Sequence, residues 1–174
     1  MRPGSLREVA ARSVADPGAF VDSCHEFLDA FYLAHGDKAA QAAMIHEAPE
    51  PTGRAFDDAW LGAMGEHLAQ RWDLDPPAWT RDGAYDRLRE PVFVPESKAL
   101  RGYLLVASPS PFRSRLIFTG SEPLQRARFP RGEGEVRIAL PWPRKPPRNG
   151  VDQPGGQGVI YRGEVPRPSP WPSE

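Results

Sequence analysis

Between residues 98 and 131 the sequence sets Lys98, Arg101, Arg113, Arg115, Arg126, Arg128 and Arg131 among Tyr103, Phe112, Phe118 and Phe129. Guanidinium groups are planar, two-pronged donors that match carboxylates and phosphates, and aromatic rings supply stacking faces. Three chemistries fit such a mixture. One is contact with the phosphates and bases of a nucleic acid. Another is docking on an acidic protein surface, where arginines and aromatics act as anchors. In the third, the cations pair with acidic helices of the same chain. Arg113 and Arg115 stand two residues apart, between Phe112 and the apolar run Leu116-Ile117-Phe118, and read as a forked donor pair.

Other reactive residue types form weaker patterns. His25 and Asp29 are four apart on a helical stretch and share a face, which is metal-ligand spacing. That face is the polar side of the stripe, however, and no second histidine is near in sequence. Cys24 falls on the apolar stripe between Phe20 and Phe27, the setting of a buried, unreactive thiol rather than a nucleophile. Asp57 and Asp58 open a helix, where carboxylates complement the macrodipole. Gly155-Gly156-Gln157-Gly158 lacks the strand before and helix after that a phosphate loop needs. Pro141 to Arg148 is a basic polyproline stretch, ligand-like for aromatic grooves but equally a spacer. No catalytic set, metal site or cofactor is expected, and the protein reads as a non-enzyme.

Charge organises the chain more than composition does. Residues 1 to 97 carry nine Lys/Arg against seventeen Asp/Glu, a balance of −8, whereas residues 98 to 131 carry seven against one, +6. A sign change on this scale implies electrostatic complementarity, to a partner or to the acidic half of the chain itself. The single cysteine rules out an internal disulfide framework and a multi-cysteine zinc site. No apolar leader and no run near ~18 apolar residues is present. A soluble, cytoplasmic protein without a membrane partner is the expectation.

The elements that must position these residues follow from start and stop signals. Ser5 to Glu8 forms a capping box before a short helix to about Val14. Asp16-Pro17 starts a second helix, to about Ala34, with Phe20, Cys24, Phe27, Leu28 and Phe31 on one stripe. Asp37 caps a third, to about His46. The longest helix lies within 54 to 72 on Phe56, Trp60, Leu61, Met64, Leu68 and Trp72, and Pro76-Pro77 ends it. After a loop with Trp79 and a turn near Tyr85 to Leu88, Ser97 precedes a helix over 98 to 107, with Leu100, Tyr103, Leu104 and Ala107 inward. Ser110-Pro111 starts a further turn, and Leu116 to Phe118 is a short strand or the end of that helix. Ten of the 21 prolines fall from Pro130 onward. The expected architecture is mainly α: one compact domain of five to seven short helices over 1–130, then a proline- and glycine-rich, mostly disordered tail over 131–174.

The order HLAQRWDL, PPAWTRD, a Pro-Val-Phe stretch, LRGYLLVASPSPFRSRLIF and PLQRAR resembles a group of small, largely uncharacterised bacterial proteins. Such proteins often occur beside toxin-antitoxin-like genes, including ones for nucleotidyltransferase-fold partners. The resemblance covers roughly Leu6 to Arg128 and rests most on Trp79, Ser108, Pro111, Phe112 and Arg115. It implies a partner-binding, antitoxin-like role and brings no catalytic set with it. The function expected is docking of an acidic protein through Arg101, Phe112, Arg113, Arg115, Arg126 and Arg128. The alternative is a nucleic-acid-binding regulator that uses the same segment.

Overall fold

A computed structural model describes residues 2–126 of the chain. The expected tail and its boundary at 130/131, with Arg128, Phe129 and Arg131, lie outside the described residues. The described residues are mainly helical, as the sequence predicts. In chain order they hold α1 (Leu6–Ala15), α2 (Phe20–Leu33), α3 (Lys38–His46), α4 (Ala55–Arg71), β1 (Val92–Phe93), α5 (Arg101–Ala107), α6 (Ser110–Arg113) and β2 (Ile117–Phe118).

The first three helix starts form as their local chemistry dictates. Ser5 Oγ accepts the Glu8 amide at 3.3 Å, and the Glu8 carboxylate reaches back to the Gly4 amide at 2.8 Å. Asp16 takes the Gly18 amide and Asp37 the Ala40 amide, each at 2.9 Å. These bonds satisfy donors that the first helical turn leaves orphaned. Ser97 differs, because its side chain makes no capping bond to the 3-10 turn at Lys98–Leu100 that leads into α5.

α4 is the central element, buried on nearly every side. Its glycines allow this. A Cβ on Gly62 would lie 2.7 Å from the Tyr85 carbonyl oxygen and 2.9 Å from Arg115 Nε, and one on Gly65 would lie 3.0 Å from the Trp79 ring. The 3-10 turns Ala78–Arg81 and Gly83–Tyr85 therefore pack directly on the helix backbone. Trp79 covers the core, 5% exposed, its indole N–H donating to the Ile45 carbonyl at 3.0 Å. On the other side α1 packs on α2, which buries Leu6, Val9 and Ala10 with Phe27, Leu28 and Phe31. Each fully buried side chain of this size contributes about 2–3 kcal/mol relative to exposure.

The chain after α6 turns sharply. Leu116 has φ +61°, a left-handed conformation that costs a non-glycine residue about 1 kcal/mol or more. It redirects the backbone from α6 into β2, which pairs in parallel with β1, Val92 opposite Ile117 and Phe93 opposite Phe118. The short strand reading of Leu116 to Phe118 is thus the one realised. The ribbon ties the 92–94 segment to the end of the helical core.

Candidate docking face

Arg115 is part of the core. Its side chain is only 6% exposed and is ion-paired with Glu66 of α4 at 2.9 Å. The guanidinium also donates to the carbonyls of Tyr85 (2.8 Å), Pro111 (2.8 Å) and Thr80 (2.6 Å). One fork thereby joins α4, α6 and both 3-10 turns. Phe112 is fully buried, with its ring 5.0 Å from Trp60 and 5.7 Å from His67 in edge-to-face contacts. Neither residue can meet a partner, so the expected docking set loses both.

Arg126 is engaged as well. Its Nε and Nη2 bond the two carboxylate oxygens of Asp29 on α2 at 3.0 and 3.1 Å. Those bonds hold the Asp29 carboxyl below its ordinary range and direct it away from the ligand role that its spacing from His25 suggested. Arg115 and Arg126 therefore follow the internal-pairing chemistry, because each lands beside a carboxylate of the acidic half. Arg128 lies outside the described residues. The other candidate chemistries resolve locally. Cys24 is buried, and desolvation with the nearby Asp57 carboxylate pushes its thiol up to about 12. Asp57 accepts from Arg54 Nε at 2.6 Å, and Asp58 accepts the Thr52 amide at 2.7 Å. Among the described residues no three His, Cys, Asp or Glu side chains converge to hold a metal.

Three cations stay on the surface: Lys98, Arg101 and Arg113 are exposed, and none makes an ion pair within the described residues. The Arg101 guanidinium lies 5.0 Å over the Phe93 ring, which itself stacks on Phe118 at 5.1 Å. The Arg101 guanidinium is thus steadied by a cation–π contact through its face, while its N–H edge makes no ion pair among the described residues and can donate to a carboxylate.

The unexpected feature is the helix that carries Arg101. Of the four inward residues predicted for 98–107, only Leu104 is buried, at 1% exposure. Tyr103 is 39%, Leu105 46% and Val106 80% exposed, and Val94 nearby in the chain is 36% exposed. The sequence LRGYLLVA is apolar round most of its circumference, a pattern that normally means burial on several sides. Here α5 rests mainly on the two-residue β2. Ser108 fixes that seat: its Oγ accepts the Thr119 amide at 2.7 Å and lies 2.6 Å from the Leu104 carbonyl oxygen. Among the described residues no layer packs on its other side, and the helix presents an apolar ridge, with Lys98 and Arg101 toward its N-terminal end. Its signal in the sequence was the unbroken apolar run from Tyr103 to Ala107, which leaves the helix little polar face. No family model, curated protein or solved structure matches this chain.

Proposed function

We propose that this chain is a protein-docking module that engages an acidic partner through the solvent face of α5, with Lys98, Arg101 and Arg113 as the charged rim and Tyr103, Leu105 and Val106 as the apolar centre. The observation that carries this reading is Val106, four-fifths exposed on a helix whose Arg101, like the neighbouring Lys98 and Arg113, has no carboxylate partner among the described residues. An apolar patch with a polar rim marks an association surface. The rim sets the partner's charge. A second copy would bring like charges together, whereas a carboxylate-bearing surface would be attracted and held by bidentate bonds. An antitoxin-like role, in which the chain covers an acidic partner, is one form of such docking, and it needs no catalytic group.

The nucleic-acid alternative is less well supported by the geometry. Stacking requires exposed rings. Phe112 and Phe118 are buried, which leaves Tyr103 as the exposed aromatic among residues 98–126.

The test compares immobilised full-length chain with Arg101→Glu/Arg113→Glu and with Val106→Asp. A protein captured from lysate of the source cells is identified, purified and titrated directly against all three. The expected result is an acidic protein whose affinity falls at least about tenfold in each variant, a loss of about 1.4 kcal/mol. Equal affinity for all three would remove α5 from the reading. Anisotropy with random duplex and single strands at low salt tests the alternative, which requires binding that weakens steeply as salt rises.

A further inference from the structure

Between α2 and the start of α4, the described residues line a cavity of about 270 Å³ that opens to solvent on one side. Its walls are aromatic: Phe20 from α2, and Phe56 and Trp60 from the first turns of α4. The last two rings pack against each other at 5.6 Å, and both remain only half-buried. Val21, 58% exposed, and Val94 stand where the cavity meets solvent. Among the described residues no Asp, Glu, Lys or Arg lines it, and the one strongly polar side chain there is the exposed His25.

We propose that this cavity is a binding site for a neutral, compact ring compound of about two fused rings that carries one hydrogen-bonding group. Three properties set that class. Size is the first: an apolar cavity of ~150 Å³ takes one benzene ring, and this one is nearly twice as large. Charge is the second, because an ionised ligand would lose its hydration against a lining with no opposite charge to compensate it. Polarity is the third, since His25 gives one donor or acceptor at the mouth while aromatic faces supply the rest of the contact. An apolar concavity with few convergent polar groups is the general form of a small-molecule site. Water there finds few partners, so its displacement favours the ligand. The site uses α2, α4, Val94 and the Pro123-Leu124 segment rather than the residues of α5, so it stands or falls separately from the docking reading.

The experiment uses full-length protein with labelled valine and leucine methyls, titrated with 2-naphthol, naphthalene and naphthalene-2-sulfonate. The expected outcome is saturable shifts centred on Val21, Leu28, Val94 and Leu124, with a 2-naphthol dissociation constant of about 1 mM or tighter. The sulfonate, with the same rings and a fixed charge, should bind at least about tenfold more weakly. Val21→Trp, at a position exposed enough to leave the fold intact, should block the entrance and abolish the shifts. His25→Leu should weaken 2-naphthol while naphthalene is unaffected. Absence of shifts at these four residues, equal binding of the sulfonate, or full binding by Val21→Trp would overturn the proposal. So would 2-naphthol binding that appears only in Phe129→Ala, because the cavity would then belong to the chain's own continuation, or shifts at these methyls on dilution alone, which would assign it to a second copy.

Discussion

Replacing Arg115 by alanine should be among the most damaging single changes in the protein, although arginine is usually a surface residue. Alanine removes every donor of the fork and leaves Glu66 without its cation, together with the carbonyls of Tyr85, Thr80 and Pro111. One-sided removal of a buried ion pair costs about 3–5 kcal/mol, and the lower end applies here because the Glu66 side chain is 27% exposed. Each orphaned buried carbonyl adds about 1–3 kcal/mol in isolation. These losses share one space, which water can enter once the guanidinium is gone, so they do not add. The expected total is about 4 kcal/mol, a large part of the ~5–15 kcal/mol that holds a domain together. Urea unfolding followed by circular dichroism measures it, with Arg113→Ala as a surface control expected within about 0.5 kcal/mol. Arg115→Lys keeps the charge but cannot reach four acceptors in different directions, and should lose about half as much. In a Glu66→Ala background Arg115→Ala should still cost about 2 kcal/mol, because the three carbonyls do not depend on Glu66. A cost for Arg115→Ala no greater than that of Arg113→Ala would show that the buried fork contributes nothing, and the account of the core would fail with it.

Two further consequences concern α4. Gly62→Ala gains about 1 kcal/mol of helix propensity, but its Cβ would sit 2.7 Å from the Tyr85 carbonyl oxygen; strain of about 1–3 kcal/mol should win, seen as a lower urea midpoint at an unchanged slope. His67 is buried against Phe112, and desolvation, then the Arg71 charge, pushes its imidazole down to about 4 from 6.5. With the folded value below the unfolded one, the unfolded chain protonates first. The stabilisation is therefore complete above about pH 6.5 and is lost as pH falls toward 4. Between pH 7.5 and 4.5 the loss attributable to His67 is on the order of 2–3 kcal/mol. Stability measured at both pH values should show His67→Phe with a pH dependence smaller by that amount, and equal dependences would refute the assignment.

What was legible in the sequence was what depends on near neighbours. Ser5, Asp16 and Asp37 each cap a helix with a bond to an amide two or three residues on, so no knowledge of the rest of the chain was needed. The stripe of α2 was legible for the same reason: one partner layer, one apolar face. α4 shows where that reasoning stops. Its apolar residues Phe56, Trp60 and Trp72 are only half-buried, while Gly62, Gly65 and Ala69, which carry no hydrophobic signal, are covered. Their smallness lets Trp79 and Tyr85 approach the helix, and that contact is specified by residues more than ten positions away.

Elementary geometry separates the cations of the basic segment. Residues two apart point about 200° from each other on a helical turn, so a pair such as Arg113 and Arg115 cannot present one face. One faces solvent and the other is driven inward, where Glu66 receives it. The apolar run after Arg115 already favoured the inward direction for that residue. Of the five cations over residues 98–126, two are neutralised by Asp29 and Glu66, so the charge available for docking is well below the sum read from the segment. If α5 docks a partner as proposed, its apolar residues would carry more of the specificity. Long-range attraction would then speed encounter, while the fit over Tyr103, Leu105 and Val106 would set how long a partner stays.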